Sequence, residues 1–105
     1  MRHLELTESA RADLKSIRRY SLRTWGAGRT ERYMVALRDT MKNLVSGRTI
    51  GCERDDLRPG LRATVSGRHC IFFEADGSRV LVIRVLHDRM DYRRHLETGE
   101  ILQDE

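Results

Sequence analysis

This sequence predicts an α+β fold: an antiparallel helical hairpin laid on one face of a twisted antiparallel sheet. Three observations carry that expectation. Two runs of helical period, from Ser9 to Trp25 and from about Tyr33 to Val45, are separated by the glycines of Gly26-Ala27-Gly28. Three strand-like runs follow, Leu61–Val65, His69–Ala75 and Arg79–Leu86, joined at Ser66-Gly67 and Asp76-Gly77. The whole chain has 105 residues, enough for one core and one sheet, so residues 1–105 are expected to form a single domain.

His3 to Leu6 reads as a short edge strand. Thr7 and Glu8 then open a helix, a hydroxyl N-cap followed by an acid that suits the helix dipole. That helix sets Ala10, Leu14, Ile17, Ser21 and Trp25 on one face, with Arg11, Lys15, Arg18, Arg19 and Arg23 largely elsewhere. The second helix carries Tyr33, Leu37, Met41, Leu44 and Val45 on its apolar side and stops at Gly47. So short a link makes the two helices antiparallel neighbours. Trp25 and Tyr33 are expected in core or hinge packing.

From Thr49 to Gly60 the pattern lapses into a charged surface loop ending at Pro59-Gly60. The three strands then form a meander, with Asp76-Gly77 expected to make a tight turn through positive φ. The N-terminal strand completes a four-stranded sheet whose second face is partly open. Val80 to Leu86 is apolar except for Arg84, which is costly to bury without a partner. Simple alternation groups Arg84 with Val80, Val82 and Leu86, opposite Leu81, Ile83 and Val85, and with Leu81, Ile83 and Val85 under the helices Arg84 would meet Arg62 or Glu74 on the open face. A short helical or irregular tail ends the chain.

Charge narrows the function classes. Residues 1–50 hold 11 Lys+Arg against 5 Asp+Glu, whereas residues 51–105 hold 9 against 11. Eighteen of the 20 cations are Arg, suited to bidentate contact with carboxylate or phosphate, and an acidic partner is expected. No apolar run approaches the roughly 20 residues of a membrane span, so the cytoplasm is the expected compartment and no membrane partner is expected. Cys52 and Cys70 lack metal-ligand spacing and read as reduced thiols; Asp55 and Asp56 have no third ligand. No metal and no cofactor are expected.

The chain resembles the ParE toxins of type II toxin–antitoxin modules, within the ParE/RelE superfamily. The residues that carry the resemblance are Leu6-Thr7 with Ala10, Asp13-Leu14 and Ile17; Trp25-Gly26; Asp56-Leu57-Arg58-Pro59-Gly60-Leu61-Arg62; Ile71-Phe72-Phe73; and Ile83-Arg84-Val85-Leu86-His87 with Arg89, Met90 and Asp91. It implies a strand, two helices and three antiparallel strands, in agreement with the pattern. It also implies a ParD-like antitoxin whose C-terminal segment wraps the toxin in a hetero-oligomer, and DNA gyrase as the target. The RelE branch instead cuts mRNA on the ribosome, and fold alone does not choose.

A nuclease of this fold needs groups that activate the 2′-hydroxyl, protonate the leaving oxygen and stabilise the charged transition state. The candidates here are Arg62, Arg84, His87 and Tyr92. The set lacks lysines, since Lys15 and Lys42 both fall on the helices. The gyrase reading needs only a binding surface, expected to include Arg84, His87, Arg89, Asp91 and Arg93. Lys15, Arg18, Arg19, Arg62 and Arg84 are the expected seats for an acidic antitoxin segment. Residues 9–48, with 10 Lys+Arg against 3 Asp+Glu, also suit a basic nucleic-acid-binding module, although no helix-turn-helix, zinc-finger or aromatic-platform pattern is present.

Overall fold

The structure, a computed structural model, describes residues 2–96. Its elements are β1 (His3–Leu6), α1 (Glu8–Trp25), α2 (Ala27–Ser46), β2 (Cys52–Glu53), β3 (Arg62–Ser66), β4 (His69–Ala75) and β5 (Arg79–His87). They form the expected α+β fold with one sheet in the order β1-β5-β4-β3-β2. β1 runs parallel to β5, and the remaining pairs are antiparallel.

Thr7 caps α1 as its sequence suggests: its Oγ1 accepts from the Ala10 amide at 3.0 Å and donates to the Ile83 carbonyl at 2.7 Å. A single residue, Gly26, separates the helices, so Ala27 and Gly28 belong to α2 rather than to a three-residue break. The packed stripes are the expected ones. Ala10 and Ile17 of α1 and Leu37, Met41 and Leu44 of α2 bury against Ile71, Phe73, Val80, Val82 and Val85 of the sheet. Among the described residues, no helix is long and apolar enough to cross a membrane.

Four features correct the sequence expectations. The Thr49–Gly60 segment is not wholly a loop, because Cys52 and Glu53 pair with Ala63 and Arg62 and give the sheet a fifth strand. The turn into that strand needs Gly51, whose φ is 72°. A Cβ there would lie 2.8 Å from the Ala63 carbonyl oxygen and 3.0 Å from the Phe73 ring. The second sheet face is not partly open either. Leu57 and Leu61 from the 54–61 loop and Leu96 from a helical turn over residues 92–96 close over Ala63, Cys70, Phe72, Ile83 and Leu86.

The β4–β5 turn is the third correction. Gly77 does not adopt positive φ; instead the Asp76 carboxylate accepts from the Ser78 and Arg79 amides at 2.8 and 3.0 Å, so a side chain does the work expected of the glycine. The fourth is the alternation of β5. Val82 pairs with Phe73 but Arg84 pairs with Phe72, leaving Ile83 as an extra residue. This bulge reverses the phase, so Val80, Val82 and Val85 all reach the helix-side core while Leu81, Ile83 and Leu86 face the other cluster.

Candidate functional site

The Arg84 problem is solved by Asp13 of α1. β1 stops pairing at Leu6 opposite Val82, which leaves the rest of β5 without a neighbouring strand on that side. Side chains take over: Thr7 reaches the Ile83 carbonyl, and the Asp13 carboxylate accepts from the Val85 amide at 2.9 Å. The same carboxylate receives Arg84 Nε at 2.8 Å and Nη2 at 2.9 Å, a bidentate pair with side chains only 16% and 13% exposed. Arg84 Nη1 also reaches the His95 carbonyl at 3.4 Å, which links α1 and β5 to the C-terminal turn. Neither Arg62 nor Glu74 meets Arg84. Arg62 donates to the Ile50 and Gly51 carbonyls, and Glu74 pairs with Arg58.

A groove of about 490 Å³ lies between α1 and the far end of the β4–β5 pair. Tyr20 and Trp25 form one wall, Tyr33 and His69 the floor, and His87, Arg68 and Arg89 the opposite rim. The aromatic rings step from Tyr20 to Trp25, Tyr33, His69 and His87 at centroid separations of 6.4, 6.0, 5.6 and 5.3 Å. Trp25 is therefore not core packing: it is 37% exposed, with the Arg29 guanidinium 4.5 Å from its ring centroid. Tyr33 is held from three sides. Its hydroxyl lies 2.6 Å from His69 Nδ1, accepts from the Arg68 amide at 3.0 Å and sits 3.4 Å from the Ser66 carbonyl. Tyr33 also fits closely over Gly67, where a Cβ would come within 2.6 Å of the ring.

Burial, then the nearby His87, pushes the His69 imidazole down from 6.5 to about 4. Burial raises the Tyr33 hydroxyl above its usual range. The linkage follows directly: below pH 6.5 the unfolded chain takes up a proton at residue 69 that the folded chain refuses until about pH 4. Stability is therefore expected to fall as pH drops through that window. Urea unfolding at pH 7 and pH 5 should show it, and a His69→Gln protein should show a smaller drop; an equal drop in both would assign the effect to other groups.

The four nuclease candidates are not gathered. Arg62 shares the sheet face of its partner Phe73, whereas Arg84 pairs with Phe72 on the other. His87 opens into the groove, and Tyr92 packs edge-on against Phe72 at 4.9 Å in the second core. The residues expected to form the toxic surface are spread along the last turn. Asp91 accepts from the Arg94 amide at 3.3 Å and so starts the 92–96 helical turn, Arg93 donates to the Asp56 carbonyl at 2.9 Å, and the Arg89 amide donates to His87 Nδ1 at 3.1 Å. Of the cations expected to hold an antitoxin, Lys15, Arg18 and Arg19 stand on the solvent side of α1, with Arg18 paired to Glu31, while Arg62 and Arg84 are engaged internally.

Sequence reasoning passed over Asp13, Tyr33 and His69 as site residues. Asp13 carried a signal, an acid three residues from Ala10 and four from Ile17 on the buried stripe, matching the lone arginine of β5. His69 carries one only after the hairpin register is known, since it stands directly opposite His87.

Comparison with known proteins places these features in a family. The model for "ParE toxin of type II toxin-antitoxin system, parDE" matches residues 4–92. Toxin ParE1 of Caulobacter vibrioides is 36% identical over 96 residues, 91% of this chain and 99% of that protein. Toxin ParE of Escherichia coli is 36% identical over 92 residues, 87% of this chain and 89% of that protein. In fold, the chain is similar to one from the chromosomal ParDE TA system from P. aeruginosa, with a TM-score of 0.71, 21% identity, and coverage of 83% of this chain and 96% of that one.

Proposed function

The chain belongs to the ParE toxin family of type II toxin–antitoxin systems, and from that premise we propose that it inhibits DNA gyrase and is neutralised by a ParD-like antitoxin. The observation that carries the choice of target is the dispersal of Arg62, Arg84, His87 and Tyr92 over two sheet faces. A ribosome-dependent nuclease must converge its acid, its base and its charge-stabilising groups on one phosphate, within hydrogen-bond reach of the reacting atoms. A gyrase-binding surface has no such requirement, and the exposed end of β5 with Arg89, Met90 and Arg93 supplies an accessible one.

Purified protein is expected to block supercoiling by gyrase and to leave mRNA intact in a translating extract. Normal supercoiling together with mRNA cleavage would reverse the assignment.

The antitoxin's acidic segment is assigned to the α1 surface bearing Lys15, Arg18 and Arg19. Lys15 and Arg19 make no ion pair among the described residues, whereas Arg62 and Arg84 would first have to give up internal bonds. Exposed charges of this kind act mainly on encounter, so association is expected to slow about tenfold or more between low and physiological salt. A salt-independent association rate in stopped-flow measurements would remove the charge argument.

A further inference from the structure

We propose that the groove between α1 and the β4–β5 pair binds single-stranded nucleic acid, taking bases on its aromatic wall and phosphates on the arginines beside that wall. The rings come from four elements that only the fold brings together: Tyr20 and Trp25 of α1, Tyr33 of α2, His69 of β4 and His87 of β5. Tyr20 is 57% and Trp25 37% exposed, so the wall presents ring surface to solvent. Such surface offers a base stacking that any sequence can use.

The charge that matters lies beside the rings. Arg68 supplies none of it, because its Nε donates to the Asp88 carboxylate at 2.9 Å and the two charges cancel. Arg23 follows Tyr20 by three residues in the last turn of α1, the spacing that sets two side chains on one side of a helix. The Arg29 guanidinium stands over Trp25, and Arg89 lines the opposite rim next to Met90. Arg23, Arg29 and Arg89 are all exposed, and none forms an ion pair among the described residues. None of them is an α1 cation assigned above to the antitoxin.

This arrangement favours a single strand over an acidic peptide. Inside the groove the Tyr33 hydroxyl and His69 Nδ1, 2.6 Å apart, occupy each other, and Ile17 and Met90 add apolar surface. A carboxylate side chain entering there would meet rings, while the cations stand outside. A single strand has the matching order, flat bases on one side and a charged backbone on the other. A duplex keeps its bases stacked within and would leave the rings unused. The ring-to-ring steps of 5.3 to 6.4 Å are edge-on or tilted contacts, so a base lies on the exposed faces of Tyr20 and Trp25 and does not slide between rings. A volume of about 490 Å³ is that of a small-ligand site, so the footprint is a few nucleotides. DNA and RNA share this chemistry. The proposal concerns binding and not cleavage; it does not depend on the toxic target, and its failure would leave the proposed function untouched.

Trp25 is the only tryptophan and lines the groove, so quenching of its fluorescence reports a stacked base directly. The test titrates the full chain with oligothymidylate, oligouridylate, a duplex of matched length and hexaglutamate at low ionic strength, with affinities read from the anisotropy of labelled ligands. Saturable Trp25 quenching by the single strands is the expected result, the tighter of the two naming the preferred sugar. Tyr20→Ala should weaken binding about tenfold and Tyr20→Phe should restore it. Three phosphate contacts should make binding roughly twentyfold weaker between about 50 and 200 mM salt, and Arg23→Ser/Arg29→Ser should flatten that dependence. Circular dichroism would verify that the variants, all at exposed positions, are folded. Absence of quenching, or a Tyr20→Ala protein that binds as well as the parent, would overturn the proposal. Equal or tighter binding of the duplex would reduce the groove to general charge attraction, and equal binding of hexaglutamate would assign it to an acidic protein; either result overturns the proposal as well.

Discussion

Asp13→Ala is expected to lower the unfolding free energy by about 3 kcal/mol, because it strands the Arg84 charge and the Val85 amide in a part-buried site. For a chain of this size that corresponds to a fall of roughly 12–24 °C in melting temperature. The pair differs from the surface bridge between Arg18 and Glu31, whose side chains are 41% and 59% exposed and whose charges water and salt screen, so that its loss should matter far less. Replacing both partners with apolar groups of similar size, Asp13→Leu with Arg84→Met, should recover the part of the loss that comes from the uncompensated charge and leave the part that comes from the unpaired Val85 amide. A loss below about 1 kcal/mol for Asp13→Ala in urea unfolding would show that water reaches Arg84 freely. The design also separates fold from toxicity: a stable double variant that still inhibits its target would remove Arg84 from the toxic surface.

Gly51→Ala should cost about 3 kcal/mol, and for a different reason. Its φ of 72° lies in the left-handed region, which costs a side chain about 1–2 kcal/mol on backbone grounds alone. The added Cβ would also press on a backbone carbonyl, that of Ala63, and a backbone atom in a paired strand cannot swing aside as a surface side chain can. The damage should be local to β2 and the β3 edge. Hydrogen exchange would then be expected to quicken at Ala63 while Val80 and Val82 stay protected; uniform quickening would mean that the strain spreads through the core.

Much of the fold was legible because it rests on period and punctuation. Thr7 and Gly47 bound the helices, the two apolar stripes predict the hairpin, and the three strands follow from their alternation and short turns. What stayed hidden depends on contacts far apart in sequence. The bulge at Ile83 has no local signature, since three consecutive apolar residues, Leu81, Val82 and Ile83, fit either phase. β2 has only two residues, too few for any periodicity, and exists because β3 offers it a partner.

The site was harder to see than the fold for the same reason. Arg84 announced a need without naming its answer, because Asp13 lies 71 residues earlier. The groove draws Trp25, Tyr33, His69 and His87 from four separate elements, and each taken alone reads as ordinary packing. The nuclease candidates illustrate the converse: residue types suited to one chemistry were present, but strand register put them on different faces.

The parallel pairing of β1 with β5 has a consequence for how this protein comes into being. His3 meets Arg79 and Leu6 meets Val82, so β1 has no partner until β5 has been made. Closing so long a stretch of chain is entropically demanding, and contacts of this separation form late. The helical hairpin can assemble early from neighbouring sequence, but the Asp13–Arg84 clasp and the completed sheet must wait for nearly the whole chain. A copy made only as far as β4 would therefore leave β1 unpaired and Asp13 without Arg84.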